Sequence, residues 1–313
     1  MRNKKLKSKH PTPSTQFVLP LPRNFNFWTT VHSHGWSDLP PFHVDKAERR
    51  MRIVLPENGG GFCEMTLSEN RGTLIVSSES TRLNGLQEKL RITKHISSIF
   101  RMEESFDEFY AEAKKYPRYR WISKKGAGRL LRSPTVFEDA VKMICTTNCS
   151  WALTEIMVKK LVTKLGTRVH DDVYSFPSPE AIAACSESFL RKEIRCGYRA
   201  PYLLELSRKI SGGELAIEEW RSSSMPTEDL FAQVRSVKGV GPYAAGNILK
   251  LLGRYDYLAL DSWCRAKFYE LFKKGRKVKD STIEKYYEPF GRWRGLFLWM
   301  DLTKDWHTLK LPF

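Results

Sequence analysis

The sequence predicts an α+β protein, with an antiparallel β-rich domain over residues 17–100 and a mostly helical body over 101–313. Three observations predict it. Short β-prone runs separated by glycine turns are confined to the first hundred residues. From about residue 101 apolar residues recur at helical spacing. The 313 residues are 41% hydrophobic and 28% charged, an ordinary globular balance that supports a buried core.

Residues 1–16 carry Arg2, Lys4, Lys5, Lys7 and Lys9, then Pro11 and Pro13, without apolar periodicity. This is expected to be a solvated basic tail, suited to grazing phosphates or serving as a nuclear address. The runs 52–55, 62–67 and 73–77, divided by Gly59-Gly60-Gly61 and Arg71-Gly72, read as a meander of strands. The aromatic, turn-rich segment from Phe25 to Phe42 is expected to pack against the rest of the fold, with no chemistry of its own.

Further along, Ser133-Pro134 predicts a helix start, with Phe137, Val141 and Ile144 on one face. The stretch from Trp151 to Leu165 predicts a helix that stops at Gly166. Helices are also expected over 201–210 and 227–237, the second capped by Thr227 with Glu228 and Asp229 suiting the dipole of its first turn. Another is expected over 242–252, ending at Gly253.

Lys and Arg number 52 against 35 Asp and Glu, a net charge of +17. Such an excess favours a polyanionic partner, because basic side chains neutralise phosphates and release their counterions. A basic protein kept soluble by its charge, or bound to the ribosome, would also show it. No apolar run approaches the ~18–20 residues of a membrane span, and no apolar segment follows the charged N-terminus. The expectation is therefore an intracellular protein without membrane contact, in the cytoplasm or nucleoid of a bacterium or the nucleus of a eukaryote. The six cysteines (63, 145, 149, 185, 196 and 264) contain no CxxC and suggest neither a disulfide framework nor a metal site. Cys145 and Cys149, four apart, read as small core residues.

The most informative segment is Val237-Lys238-Gly239-Val240-Gly241-Pro242, which joins two expected helices. Gly239 and Gly241 permit a tight hairpin and a close approach of backbone to a ligand. The free N–H groups and dipole at the start of the second helix then form an anion site suited to one DNA phosphate, which anchors without reading sequence. A plain interhelical linker would also use Gly and Pro. Beyond the helix, Asp261 ends the short run Tyr255 to Leu260 and precedes a helix starting near Ser262. As an N-cap alone it would contribute ~1 kcal/mol.

The hairpin, the gap after it and the aspartate together resemble the helix-hairpin-helix DNA glycosylase superfamily. Three further stretches extend the resemblance. Met143 to Asn148 is similar to the helix end that fills the gap left by a flipped base. Gly197-Tyr198-Arg199-Ala200 is similar to the loop whose aromatic wedges into the stack, and Gly291 to Leu296 is similar to the last core helix. The likeness is good over about 129–308, weaker over 17–128, and absent in the tail.

The resemblance implies a base-excision enzyme acting as a monomer on duplex DNA. It gives Tyr198 and Asn148 the wedge and gap-filling roles, with Arg199 bonding the orphaned base. It makes Asp261 the carboxylate that stabilises charge on the sugar as the N-glycosidic bond breaks, and that orients or deprotonates a water. Family members that also nick the strand place a lysine, which forms a Schiff base, where this chain has Tyr243. A phenol cannot form an imine, so a monofunctional enzyme is expected. Lys238 lies before the turn and is expected to contact phosphate. Only Cys264 follows residue 239, so the iron–sulfur cluster of several relatives is not expected, and the chemistry requires no cofactor.

The base is less determined. The helix end and the Gly-Tyr-Arg-Ala loop look like the 8-oxoguanine branch of the superfamily. The aromatic at Tyr243 looks like the inducible, broad-specificity 3-methyladenine branch, and Asn247 stands where the 8-oxoguanine enzyme has a cysteine facing the base. Alkylated purines, often cationic and attracted to an aromatic face by up to ~2 kcal/mol, are favoured. Trp299, Trp293 and Phe297 are candidates for the pocket or for core. The alternatives are an 8-oxoguanine-type or mismatch glycosylase, a bifunctional lyase, a non-catalytic duplex-binding module, and an RNA-binding protein.

Overall fold

The structure is a computed structural model that describes residues 15–79 and 85–308. Most of the basic tail, residues 1–14, lies outside the described residues. Strand β1 (Thr15–Pro20) is followed by the short helix α1 (Phe27–Val31), then β2 (His43–Asp45), β3 (Arg50–Pro56), β4 (Phe62–Asn70) and β5 (Thr73–Ser78). They form one antiparallel sheet in the order β1-β5-β4-β3-β2. Side chains alternate across a strand, so Met51, Ile53 and Leu55 of β3 share one buried face with Leu67, Met65 and Cys63, their partners on β4. The meander expected over 52–77 is present.

The boundary expected at residue 100 is not. Residues Leu86–Phe100 form a helix, α2, whose Ile92, Ile96, Ile99 and Phe100 are buried on one face. The helices continue as α3 (Asp107–Lys115), α4 (Arg120–Lys125), α5 (Val136–Thr146) and α6 (Trp151–Leu165). A two-stranded ribbon, β6 (Arg168–His170) and β7 (Val173–Tyr174), precedes α7 (Pro179–Ala183), α8 (Glu187–Lys192) and α9 (Ala200–Ser211). The chain ends with α10 (Thr227–Arg235), α11 (Pro242–Leu251), α12 (Ser262–Lys273), α13 (Asp280–Tyr287), α14 (Arg294–Leu302) and α15 (Lys304–Thr308). Among the described residues no helix is long and apolar enough to cross a membrane.

Two helix starts differ from expectation. The cap of α5 is Thr135, whose hydroxyl accepts from the Glu138 amide at 3.1 Å, so Ser133-Pro134 leads into the helix rather than opening it. Thr227 is the first residue of α10 rather than its cap, a position held by Pro226.

Two apolar clusters form the core. One joins the sheet to α2, α5, α6, α9, α10 and α11. The other, rich in aromatics, joins α3 and α4 to α12, α13 and α14. Because the first cluster runs without interruption from sheet to helices, the β region is not a separately cored domain. Polar ties reinforce the join. The Trp36 indole donates to Asp139 Oδ1 at 2.7 Å. The buried Arg101 guanidinium donates to the carbonyls of Lys250 and Leu251 at 3.0 and 2.9 Å, placing a cation at the C-terminus of α11.

Candidate active site

Where the two clusters meet, α11 faces α12 and α14 across a cavity of about 980 Å³. Tyr243, Asn247 and Lys250 reach it from α11, Asp261, Trp263 and Cys264 from the start of α12, and Trp299 from α14. Residues 243, 247 and 250 share one helix face because they are four and three apart. The fourth wall is the segment 32–38, with His34 and Trp36. That corrects the expectation that Phe25 to Phe42 serves packing alone.

Asp261 is in extended backbone at the N-cap of α12, and its Oδ1 accepts from the Cys264 amide at 2.6 Å. The cap bond fixes the side chain and leaves carboxylate capacity toward the cavity. Burial, then the Asp261 charge, raises the Tyr243 phenol above its ordinary pKa, so the hydroxyl stays protonated beside the carboxylate. Burial and Asp261 likewise push the Cys264 thiol up to about 12, which keeps it an unreactive neutral group. The Asn247 amide donates to the Tyr243 carbonyl at 3.1 Å. The Trp299 indole donates to the Ser33 carbonyl at 2.9 Å, and its ring centroid is 6.0 Å from that of Trp263. All four residues expected at the base pocket and catalytic position, Tyr243, Asn247, Trp299 and Asp261, therefore line one cavity.

Lys250 and His34 are among the lining residues not expected from sequence. Lys250 is buried, and burial lowers its pKa to about 8 against the opposing pull of Cys264 and Asp261. Its signal was present: a lysine inside the apolar run 248–252, on the helix face of Tyr243. His34 bonds the Leu131 carbonyl through Nε2 at 2.5 Å, and burial lowers its pKa to about 4, so the ring is neutral. Nothing local marked it, because its position depends on contacts with a segment about a hundred residues away.

The hairpin is built as expected at Gly239 and differently at Gly241. Gly239 has φ +86°, and a Cβ there would fall 2.4 Å from the Tyr202 ring. Gly241 has an ordinary φ of −79° as the N-cap of α11, and an added Cβ would meet nothing within 4 Å. Its open surroundings leave the first turn of α11 approachable, and no side chain caps it. Lys238 is exposed and pairs with Glu205 at 3.2 Å.

Asn148 and Tyr198, from segments fifty residues apart, meet at the surface. The Asn148 amide donates to the Tyr198 hydroxyl at 3.3 Å, and that hydroxyl donates to the Thr147 carbonyl at 3.2 Å. Asn148 is in left-handed backbone (φ +47°) and exposed, and Tyr198 is 43% exposed. Tyr202 links this pair to the hairpin: its ring is 6.1 Å from that of Tyr198 and packs over Gly239. Arg199 departs from expectation. It is buried, its guanidinium donates to the Thr147 carbonyl, and it stacks 4.5 Å from the Tyr198 ring centroid. In this structure it braces the loop and does not project from the surface.

Residues 141–290 match the profile of the HhH-GPD superfamily base excision DNA repair protein. The chain is 22% identical over 268 residues to the putative DNA-3-methyladenine glycosylase YfjP of Bacillus subtilis, covering 83% of this chain and 90% of that one. It is 26% identical over 287 residues to a probable N-glycosylase/DNA lyase of Methanothermobacter thermautotrophicus, covering 84% and 87%. The 3-methyladenine DNA glycosylase from Archaeoglobus fulgidus superposes with a TM-score of 0.72 at 20% identity, covering 92% of this chain and 98% of that one. The matched residues run from α5 through the hairpin to just past the end of α13 and include Tyr243 and Asp261.

Proposed function

We propose that the chain is a member of the HhH-GPD superfamily and a monofunctional DNA glycosylase, hydrolysing the N-glycosidic bond of a damaged base rotated out of the duplex. The observation that carries the proposal is the placement of Asp261 on the cavity beside Tyr243, with a phenol where the strand-nicking members of the superfamily would hold an amine. As the bond breaks, the base leaves with the bonding electrons and positive charge grows on the sugar. The Asp261 carboxylate stabilises that charge and accepts the proton of the water that adds to C1′. The proposed partner is duplex DNA, bound by a single copy of the chain. Gly239, Gly241 and Lys238 take a phosphate, Tyr198 is the wedge, and Asn148 enters the vacated space.

The aromatic faces of Tyr243, Trp263 and Trp299 suit a flat damaged purine, and alkylated purines are the first class to test.

Duplexes carrying single defined lesions, treated with and without alkali, test the reaction. Strand breaks are expected only after alkali. Asp261→Asn is expected to lose on the order of 100-fold or more of single-turnover rate. Asn caps helices as well as Asp, so the variant should fold. Unchanged excision in that variant would remove Asp261 from the mechanism, and a borohydride-trapped adduct would overturn the monofunctional assignment. Duplex binding without excision of any lesion would favour the phosphate-anchoring module.

A further inference from the structure

Lys250 lies seven residues beyond Tyr243 on α11, about 10 Å deeper along the helix axis, at the floor of the cavity. Its ammonium is 5.4 Å from the Trp299 ring centroid. Its one protein acceptor among the described residues is the Leu258 carbonyl, at a long 3.5 Å, and no ion pair holds it there. An ammonium has three N–H donors, so two are left for whatever enters the cavity. The titratable groups coupled to it are Asp261 and Cys264 at the start of α12 and His34 from the N-terminal wall, and Tyr243 on its own helix and His32, Asp38 and Lys46 from that wall line the same cavity. Cys264, Tyr243 and His34 are neutral at physiological pH, so the floor is cationic while Asp261 serves the sugar end.

We propose that Lys250 is a specificity-determining residue. Its ammonium donates to a carbonyl oxygen or ring nitrogen on the leading edge of an uncharged damaged purine, and it repels purines made cationic by N-alkylation. The selection rests on the glycosylase reading above and narrows it. The Trp299 face that would attract a cationic base already faces a cation, and like charges in a poorly solvated cavity oppose each other strongly. An uncharged base with an acceptor gives the buried donors a partner, whereas one without leaves them unpaired. Alkylated purines that remain uncharged still fit.

The test compares the full chain with Lys250→Met. Single-turnover excision is measured on duplexes carrying hypoxanthine, 8-oxoguanine or cationic 7-methylguanine. The wild type should prefer an uncharged lesion, and the variant should lower the uncharged-to-cationic rate ratio at least about 10-fold. Quenching of the cavity tryptophans by 9-methylhypoxanthine and by cationic 7,9-dimethyladeninium gives a readout independent of excision. The wild type should bind the uncharged compound more tightly, and the variant should lose the difference. A rate ratio or binding preference equal in both proteins overturns the role of Lys250. Charge-selective binding without excision of any lesion would uphold it and defeat the glycosylase reading.

Discussion

The Lys250 ammonium is held in a place that disfavours its charge, and titration can measure the cost. Its pKa is about 8 in the fold, against an ordinary value near 10.4 in the unfolded chain. Below pH 8 both states carry the proton, so the penalty of burying the charge is fully present. Between pH 8 and about 10.4 the native state releases the proton first, the unfolded state holds more protons, and stability rises with pH. Lys250→Met has no such penalty. In urea unfolding, the stability advantage of that variant over wild type should therefore shrink by on the order of 3 kcal/mol between pH 7 and pH 10.4. A gap that stays constant across this range would show that the lysine is not desolvated in the native protein. Asp261 presents a different economy of groups. One oxygen caps α12 through the Cys264 amide, and the rest of the carboxylate is available to the cavity.

At the level of elements, the hairpin between α10 and α11 separates two uses of glycine. Gly239 occupies left-handed backbone against the Tyr202 ring, so Gly239→Ala should cost about 1–3 kcal/mol of stability and disturb the loop under Tyr198. Gly241 has ordinary backbone and open space around it, so Gly241→Ala should leave urea stability within about 0.5 kcal/mol of wild type while weakening duplex affinity. Equal stability losses in the two variants would contradict this division. The hairpin was legible in sequence because its glycines, proline and following aspartate are close together along the chain. Strands β3, β4 and β5 were legible by their short β-prone runs and the glycine turns between them. Helix α2 was not placed, because the β-rich reading was carried on to residue 100, although Ile92, Ile96 and Ile99 held the helical spacing. The His34 wall could not be read locally, since its partners Leu131 and Lys250 are distant in sequence. Asp261 and Tyr243 needed only the motif, whereas the floor of the cavity needed the fold.

On the scale of the whole molecule, sheet and helices share a core, and the segment between α1 and β2 is hydrogen-bonded to the helical body from Trp36 to Asp139 and from Trp299 to Ser33. Arg101, just past the C-terminus of α2, holds the carbonyl of Lys250 itself. A helical body cut free at residue 101 would expose the sheet-facing apolar surface and lose the His34 wall. The full chain should therefore unfold in one cooperative transition, with far-ultraviolet circular dichroism and tryptophan fluorescence giving coincident curves. Two separated transitions would show that the sheet folds independently. The cavity is also assembled from both ends of the chain, with residues 32–38 on one side and Trp299 and Trp306 on another. Order of synthesis follows from that geometry. A nascent chain completes the hairpin between α10 and α11 before the helix bearing Trp299 has been made. A chain released early, after α12, would carry the hairpin and Asp261 but lack α13 and α14, and with them much of the aromatic core cluster and the Trp299 wall. Premature termination would then leave an incompletely cored chain rather than a partly active protein.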